Sequence, residues 1–555
     1  MKKRWKMMQA VSVLSAVMIA CGSLTAAAGE ATMTRIIEDV QPRTAQSAVV
    51  GTTQTIRVLA HEDAKVSVNI GGTTVKLSAT REYADEDSCW FEGEYTVPGS
   101  ADGASLGSIT ATVTLDGKSQ TRVGGSFTAI NMDLQDTGSD SEQGVVSGEM
   151  LTISNAKSFS GKQVTVTAEY ADVFIPVESD RGEDYAAPYY YQLPQGTIDY
   201  VVSGPDSNNI YLLASGRKVS AANVKVSAAS GSQGENLITS IGLSADAACT
   251  YIDFGEKWNV PFNIEVEDVN YASSVTNTVS SFNPKKVKIV FDYTTGIVNG
   301  EISIPKKSCF SAAKVSTRTS AAGVPQCVLE LTLKESAYYG AYASYSGHGK
   351  LQLKFYNPVS SLDGARIVID SGHGSYSNGK FDPGAAGVNG TQEYEENYRK
   401  ALALKAELES RGAEVYMLDT YRTNLGDLYA RVNAAIDWEP MVYVAVHHNS
   451  SPTNSSARGI EVYYNNPWSV YLAKNVCNNI FSAYKTMDYA SGAVNRGHKF
   501  SEYAVTRVKQ FSAILIEYGF ITTPTENALL TNSRNIQQFA EATADGLEAY
   551  FAGEK

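Results

Sequence analysis

Cysteine is scarce in this sequence, six residues in 555, and no two of them stand as Cys-x-x-Cys. A metal site built on such sulfur pairs is thereby excluded. Long apolar runs are lacking as well. The one at Val11–Ala20 is shorter than the ~20 residues a spanning helix needs, and no later run approaches it. Basic side chains fall short of acidic ones, 46 against 59, for a net charge of −13, which argues against nucleic acid as a partner. His-Glu-x-x-His and His-x-x-Glu pairs are also missing, so the familiar zinc peptidase patterns do not apply.

What is there begins with a leader. Lys2, Lys3, Arg4 and Lys6 precede the apolar run, and the small residues Ala26–Ala28 follow it. That is the pattern of a secretory signal peptide over residues 1–28, and it predicts a secreted protein with no membrane span. Cys21, after Met18-Ile19-Ala20, offers lipid anchoring as an alternative to cleavage after Ala28. Cleavage leaves 42 basic against 59 acidic side chains, a net charge of −17. Of the five remaining cysteines, Cys309 and Cys327 could be bridged, and small buried apolar residues are the competing reading.

Composition divides the rest. Residues 29–132 read as short alternating strands with glycine turns, exemplified by Lys65–Ile70 and Ser108–Val113, and predict a β-sandwich-like domain. Residues 133–148, rich in Asp, Ser and Gly, read as a linker. A β-rich region follows over 149–237, where Tyr189-Tyr190-Tyr191 could stack on sugars or simply pack a core. A third β-region spans 238–360. At Ala365 strands begin to alternate with helices: Arg366–Ile369, a helix Glu393–Ser410, Val415–Leu418, a helix Leu425–Ile436, Met441–Val446 and onward to Phe551. The fold class expected is therefore multidomain, β-rich regions followed by one α/β domain over 361–555.

Three polar groups stand just after apolar strands of that domain, namely His373, His447 and Glu517, and Glu393 opens the helix after the first strand. In open α/β sheets, groups at the carboxyl ends of strands converge on one crevice. Two imidazoles and a carboxylate that leave one position for water make the ligand set of a catalytic zinc site, and a second carboxylate can take the proton.

The wording around these residues is specific. Ile367-Val368-Ile369-Asp370-Ser371-Gly372-His373-Gly374, Asp382-Pro383-Gly384-Ala385-Ala386-Gly387, Glu393 four residues before Asn397, Val446-His447-His448-Asn449 and Leu515-Ile516-Glu517-Tyr518-Gly519-Phe520 together resemble the zinc-dependent N-acetylmuramoyl-L-alanine amidases. The resemblance implies a central mixed sheet flanked by helices. It also implies Zn2+ held by His373, Glu393 and His447, Glu517 as the catalytic carboxylate, and peptidoglycan as substrate. The region 238–360 is similar in position and texture to the AMIN-type β-modules that precede some amidases. Three features depart from the family's pattern. Ser375–Phe381 is longer than its usual tight turn, His448 stands where a small residue is common, and Tyr421 separates Thr420 from Arg422. Since successive strand side chains face opposite ways, His447 and His448 cannot both readily reach one metal.

Arg496, in an expected rim loop with His498, could hold a substrate carboxylate or form a plain salt bridge, and Asn449 is a second candidate substrate contact. Arg422 and Arg431 read as structural, and His61 and His348 as solvated residues of the β-regions. The reaction implied is hydrolysis of the amide between N-acetylmuramic acid and L-alanine by zinc-activated water. The alternatives are a zinc peptidase acting on stem peptides and a non-catalytic cell-wall binding protein.

Overall fold

The computed structural model describes residues 37–555 except 43–45, 50–52, 84–87, 100–103, 131–143, 147–148, 154–160, 175–189, 230–234, 274–277, 455 and 491. The leader with Cys21, Tyr189 and most of the expected linker lie outside the described residues. The described residues divide into two compact units, one on either side of the junction between 130 and 131. Among the described residues no helix is long and apolar enough to cross a membrane.

The first unit is built from alternation. In Thr53–His61 the residues Ile56, Val58 and Ala60 point inward, and in Ser105–Leu115 Ile109, Ala111 and Val113 do the same. A four-stranded and a five-stranded sheet enclose these side chains in one core, the arrangement that period-2 patterning with polar turns favours.

Among its described residues the second unit holds a seven-stranded, a six-stranded and a four-stranded β-sheet besides the α/β domain. Strand Asn236–Ala245 spans the expected boundary at 237/238, and Gly144–Val146 and Met150–Thr152 join the same sheet. Ile241, Ile252 and Phe254 of that sheet share a core with Ile289, Phe291 and Leu329 of a four-stranded sheet. Tyr191 belongs to this core, 2% exposed and stacked on Phe262, and Tyr190 lies under the Arg217 guanidinium. The tyrosine cluster, where described, is thus packing rather than an open platform. Cys309 and Cys327 are free and buried, with no bridge between them.

The α/β domain comprises β1 (Arg366–Ser371), α1 (Glu393–Ser410), β2 (Glu414–Met417), α2 (Leu428–Trp438), β3 (Val442–Asn449), β4 (Ile460–Tyr464), α3 (Val470–Tyr484), β5 (Asn495–Phe500), β6 (Ser512–Phe520), α4 (Pro524–Thr531) and α5 (Ser533–Phe551). Its sheet has the order β2-β1-β3-β6-β4-β5, parallel from β2 to β6, with β4 antiparallel to β6 and β5 parallel to β4. Strands buried on both faces are apolar at every position, as Val442–Val446 is. One face, with Ile367, Val444 and Ile516, packs on α1, α3 and α5. The other, with Val368, Tyr443 and Leu515, packs on α2.

The β-layers lock onto this domain through Tyr338–Tyr342. Tyr338 meets Trp468, Tyr339 meets Tyr550 and Phe551, and Tyr342 packs near Phe511 and donates to the Pro440 carbonyl at 2.6 Å. A chain beginning at Ser361 lacks Tyr338–Tyr342 and would partly uncover their partners Trp468, Tyr550 and Phe551, a loss of about 3 kcal/mol in total. It is expected to melt roughly 6–12 °C below residues 131–555. Equal Tm values in parallel thermal scans would show that the contacts do not stabilise the domain.

Candidate active site

β1 ends at Ser371, and the chain turns at Gly372 so that Gly372 N–H still bonds the Val446 carbonyl of β3 at 3.0 Å. A Cβ on Gly372 would lie 2.2 Å from the His447 ring, so only glycine lets that imidazole sit where it does. His373 follows with φ +62°, a left-handed conformation that a non-glycine residue adopts only when its surroundings enforce it. The enforcement comes from Arg431 of α2, 3% exposed. It donates to the carbonyls of Ser371 (3.0 Å) and His373 (2.6 Å), to Ser375 Oγ (2.9 Å) and to Asp370 Oδ1 (2.5 Å).

Nε2 of His373 and Nδ1 of His447 lie 3.3 and 3.1 Å from Oε1 of Glu393. Donor atoms of all three residues fall within 4.8 Å of one another. Asp382 holds Nδ1 of His373 at 2.7 Å, leaving Nε2 to face the other donors, which is the orienting role a carboxylate plays behind a metal-ligating histidine. Glu393 Oε2 accepts from Ala385 N–H at 2.8 Å. Gly384, at φ +64°, closes the far side, where a Cβ would come within 2.7 Å of Glu393 Oε2. Two imidazoles and a carboxylate aimed at one point inside a glycine-lined cradle fit a zinc ion.

The electrostatics agree with that fit. Burial alone would depress the His373 imidazole, but the adjacent Glu393 and then Asp382 outweigh it and raise it to about 9. Burial alone would raise Glu393, yet its hydrogen bonds with His373 and His447 hold it far below the usual carboxylate range. The three groups therefore attract one another strongly, and a cation among them would take over the charge that a proton carries.

Strand alternation decides between the two adjacent histidines. His447 faces the donors, while His448 turns to the α1 face, 2% exposed, with Nδ1 2.6 Å from Asn397 Oδ1. Burial pushes its basicity well down, so it is a neutral packing residue there.

Glu517 is the register partner of His447 on the neighbouring strand β6. Paired residues on adjacent strands share a face about 4.8 Å apart, so the carboxylate stands beside the donors. Its Oε2 is buried with no hydrogen-bond partner among the described residues. Burial, and then the charges of Glu393 and Glu461, raise it well above the ordinary carboxylate value.

Glu461 of β4 continues the row, paired to Glu517 and 2% exposed. Sequence reasoning missed it, although one acid inside the apolar run Ile460–Tyr464 is a signal that could have found it. Asn449 Nδ2 donates to its Oε1 at 2.5 Å, Arg496 Nε lies 2.9 Å from its Oε2, and Lys499 also pairs with it. Both candidate substrate contacts thus converge on Glu461, and the Arg496 guanidinium lies over the Phe520 ring. Arg496 and His498 sit in strand β5, not in a loop, and His498 turns toward Tyr464. Arg422 donates to Tyr394 Oη at 2.6 Å.

Residues 367–549 match the family model described as N-acetylmuramoyl-L-alanine amidase. A probable cell wall amidase LytH of Staphylococcus epidermidis is 28% identical over 209 residues, 37% of this chain. Its Staphylococcus aureus counterpart is 29% identical over 193 residues, 34% of this chain. The chain spans 65% and 60% of the lengths of these two relatives. Among solved structures, the N-acetylmuramoyl-L-alanine amidase AmiC2 of Nostoc punctiforme is 30% identical, with 34% of this chain and 96% of that one covered and a TM-score of 0.30. The catalytic domain of the N-acetylmuramoyl-L-alanine amidase CwlV from Bacillus (Paenibacillus) polymyxa var. colistinus is 29% identical, covering 34% and 97%, with a TM-score of 0.30. Residues 367–549 thus form a domain of the N-acetylmuramoyl-L-alanine amidase family.

Proposed function

We propose that the protein is a secreted, zinc-dependent peptidoglycan hydrolase that cleaves the amide between the lactyl group of N-acetylmuramic acid and L-alanine of the stem peptide. The observation that carries the reading is the juxtaposition of the His373, Glu393 and His447 donors with a buried carboxylate, Glu517, on the next strand. His373, Glu393 and His447 would hold the ion, with Asp382 fixing the tautomer of His373. The chemistry expected of zinc held there is Lewis acidity, which polarises a carbonyl and makes water acidic.

The remaining steps belong to the protein. Glu517, whose Oε2 has no hydrogen-bond partner among the described residues, takes the proton of the attacking water and returns it to the departing amine of L-alanine. The Arg496 side chain is 36% exposed and with Asn449 contacts the substrate. The β-rich regions upstream would position the enzyme in the wall, and the leader supports export. Neither nucleic acid nor a membrane span enters this reading.

Purified protein is expected to contain one zinc per chain and to release stem peptides with free amino-terminal L-alanine from peptidoglycan. Chelation should abolish release, and added zinc should restore it. Active protein without a bound transition metal, or products cut within the peptide, would refute the proposal.

A further inference from the structure

The two flanks of the donor cluster differ in chemistry. On the side of β1 and β2 the flank is aromatic. The segment after Ser375 folds as a hairpin, Tyr376–Ser377 paired with Lys380–Phe381, turned at Asn378 and Gly379 with φ +50° and +72°. The hairpin leads directly into Asp382, the residue that orients His373, so its rings are fixed relative to the site. Tyr376 and Phe381 lie 5.0 Å apart, Phe381 and Tyr394 5.0 Å, Tyr394 and Tyr421 5.7 Å, and Tyr421 and Tyr398 4.4 Å. Tyr376 and Tyr421 are each 37% exposed, so this row of rings reaches solvent at both of these residues. The Arg422 guanidinium sits 5.7 Å from the Tyr394 and Tyr421 rings.

On the side of β4 and β5 the flank is ionic. Arg496 and Lys499 are gathered on Glu461, two cations on one carboxylate, with both side chains more than a third exposed.

The substrate class proposed above has the same asymmetry. On one side of the scissile amide lies an uncharged sugar, since its lactyl carboxyl is consumed in the amide. On the other side lies a peptide that carries the free carboxylates. Sugar rings present C–H faces that stack on aromatic rings and hydroxyl and acetamido groups that bond to Tyr and Arg. Carboxylates pair with guanidinium and ammonium groups.

Resting on that amidase reading, we infer that the substrate lies across the carboxyl edge of the sheet in one direction, with N-acetylated sugar rings of the glycan strand on Tyr376, Phe381 and Tyr421 and the stem peptide toward Arg496 and Lys499. The hairpin is then a saccharide subsite, and a substrate bearing several sugars gains contacts that a single muramyl unit cannot make.

Two measurements on the full mature chain test this. The first is turnover of a tetrasaccharide carrying a tetrapeptide against that of N-acetylmuramoyl tetrapeptide. Tyr421→Ala should raise KM for the tetrasaccharide substrate roughly three- to tenfold more than for the short one, the loss expected of one stacked ring, and Tyr421→Phe should restore it. An unchanged ratio of the two KM values overturns the subsite, whereas wild-type protein that cleaves neither substrate overturns the amidase reading instead. The second needs no turnover: a β-1,4-linked N-acetylglucosamine tetramer should bind, and Tyr421→Ala or Tyr376→Ala should weaken it by a similar factor. No binding, or binding equal in wild-type and variant proteins, rejects the glycan assignment whatever the activity proves to be.

Discussion

Glu517→Gln is expected to keep near-full zinc content and folding while lowering kcat roughly 100- to 10,000-fold, the range typical of a general acid-base group. The expectation follows from the position of the carboxylate. It stands beside His447 in register but is not among the three clustered donors, and its Oε2 has no partner among the described residues that an amide would disturb. Glutamine matches its shape and cannot accept the proton of water at neutral pH. Glu393→Ala removes instead the carboxylate on which both imidazoles converge, at 3.1 and 3.3 Å. That variant should lose zinc and turnover together, with partial recovery at high zinc. Zinc content and single-turnover rates measured on the same preparations separate the two. Near-wild-type turnover of Glu517→Gln, or zinc loss as complete as that of Glu393→Ala, would show the roles to be wrongly divided.

Much of the α/β domain was legible because its signals are local. Val442–Val446 is apolar at every position and so reads as a buried strand, and Glu393–Ser410 stops at Arg411-Gly412 in sequence and structure alike. Alternation alone placed His447 and His448 on opposite faces. What was not legible depends on pairing between distant strands. Asn495-Arg496-Gly497-His498-Lys499-Phe500 has no apolar period, because as an edge strand it answers to Glu461 and Tyr464 rather than to a core. Glu461 itself gains meaning only when β4 is laid against β6 and Glu517. Likewise, the excess length of Ser375–Phe381 was visible, but the row of rings that it completes runs through Tyr394 on α1 and Tyr421 after β2. Strand texture marked the upstream regions as β-rich, whereas the continuity of Asn236–Ala245 across a composition change, and the pairing of Gly144–Val146 from within the expected linker with it, could not be read from texture.

Arg431→Met is expected to destabilise the 131–555 unit by about 3–5 kcal/mol, the cost of leaving one member of a buried ion pair without its partner. Both side chains are almost fully enclosed, Arg431 at 4% exposure and Asp370 at 3%. Asp370 would keep only the Tyr443 hydroxyl, at 2.5 Å, and the carbonyls of Ser371 and His373 would lose their donor. Because that donor also fixes His373 in its left-handed conformation, zinc affinity should fall in the same variant even where it remains folded. Pairing Arg431→Met with Asp370→Leu removes the orphaned charge and should recover part of the stability, leaving the Tyr443 hydroxyl and the two carbonyls unpaired. It should recover none of the zinc affinity. Denaturant midpoints and zinc titrations of the single and double variants check this directly. A single variant as stable as the parent would mean that water reaches Asp370, and full zinc affinity in the double variant would mean that His373 holds its conformation without Arg431.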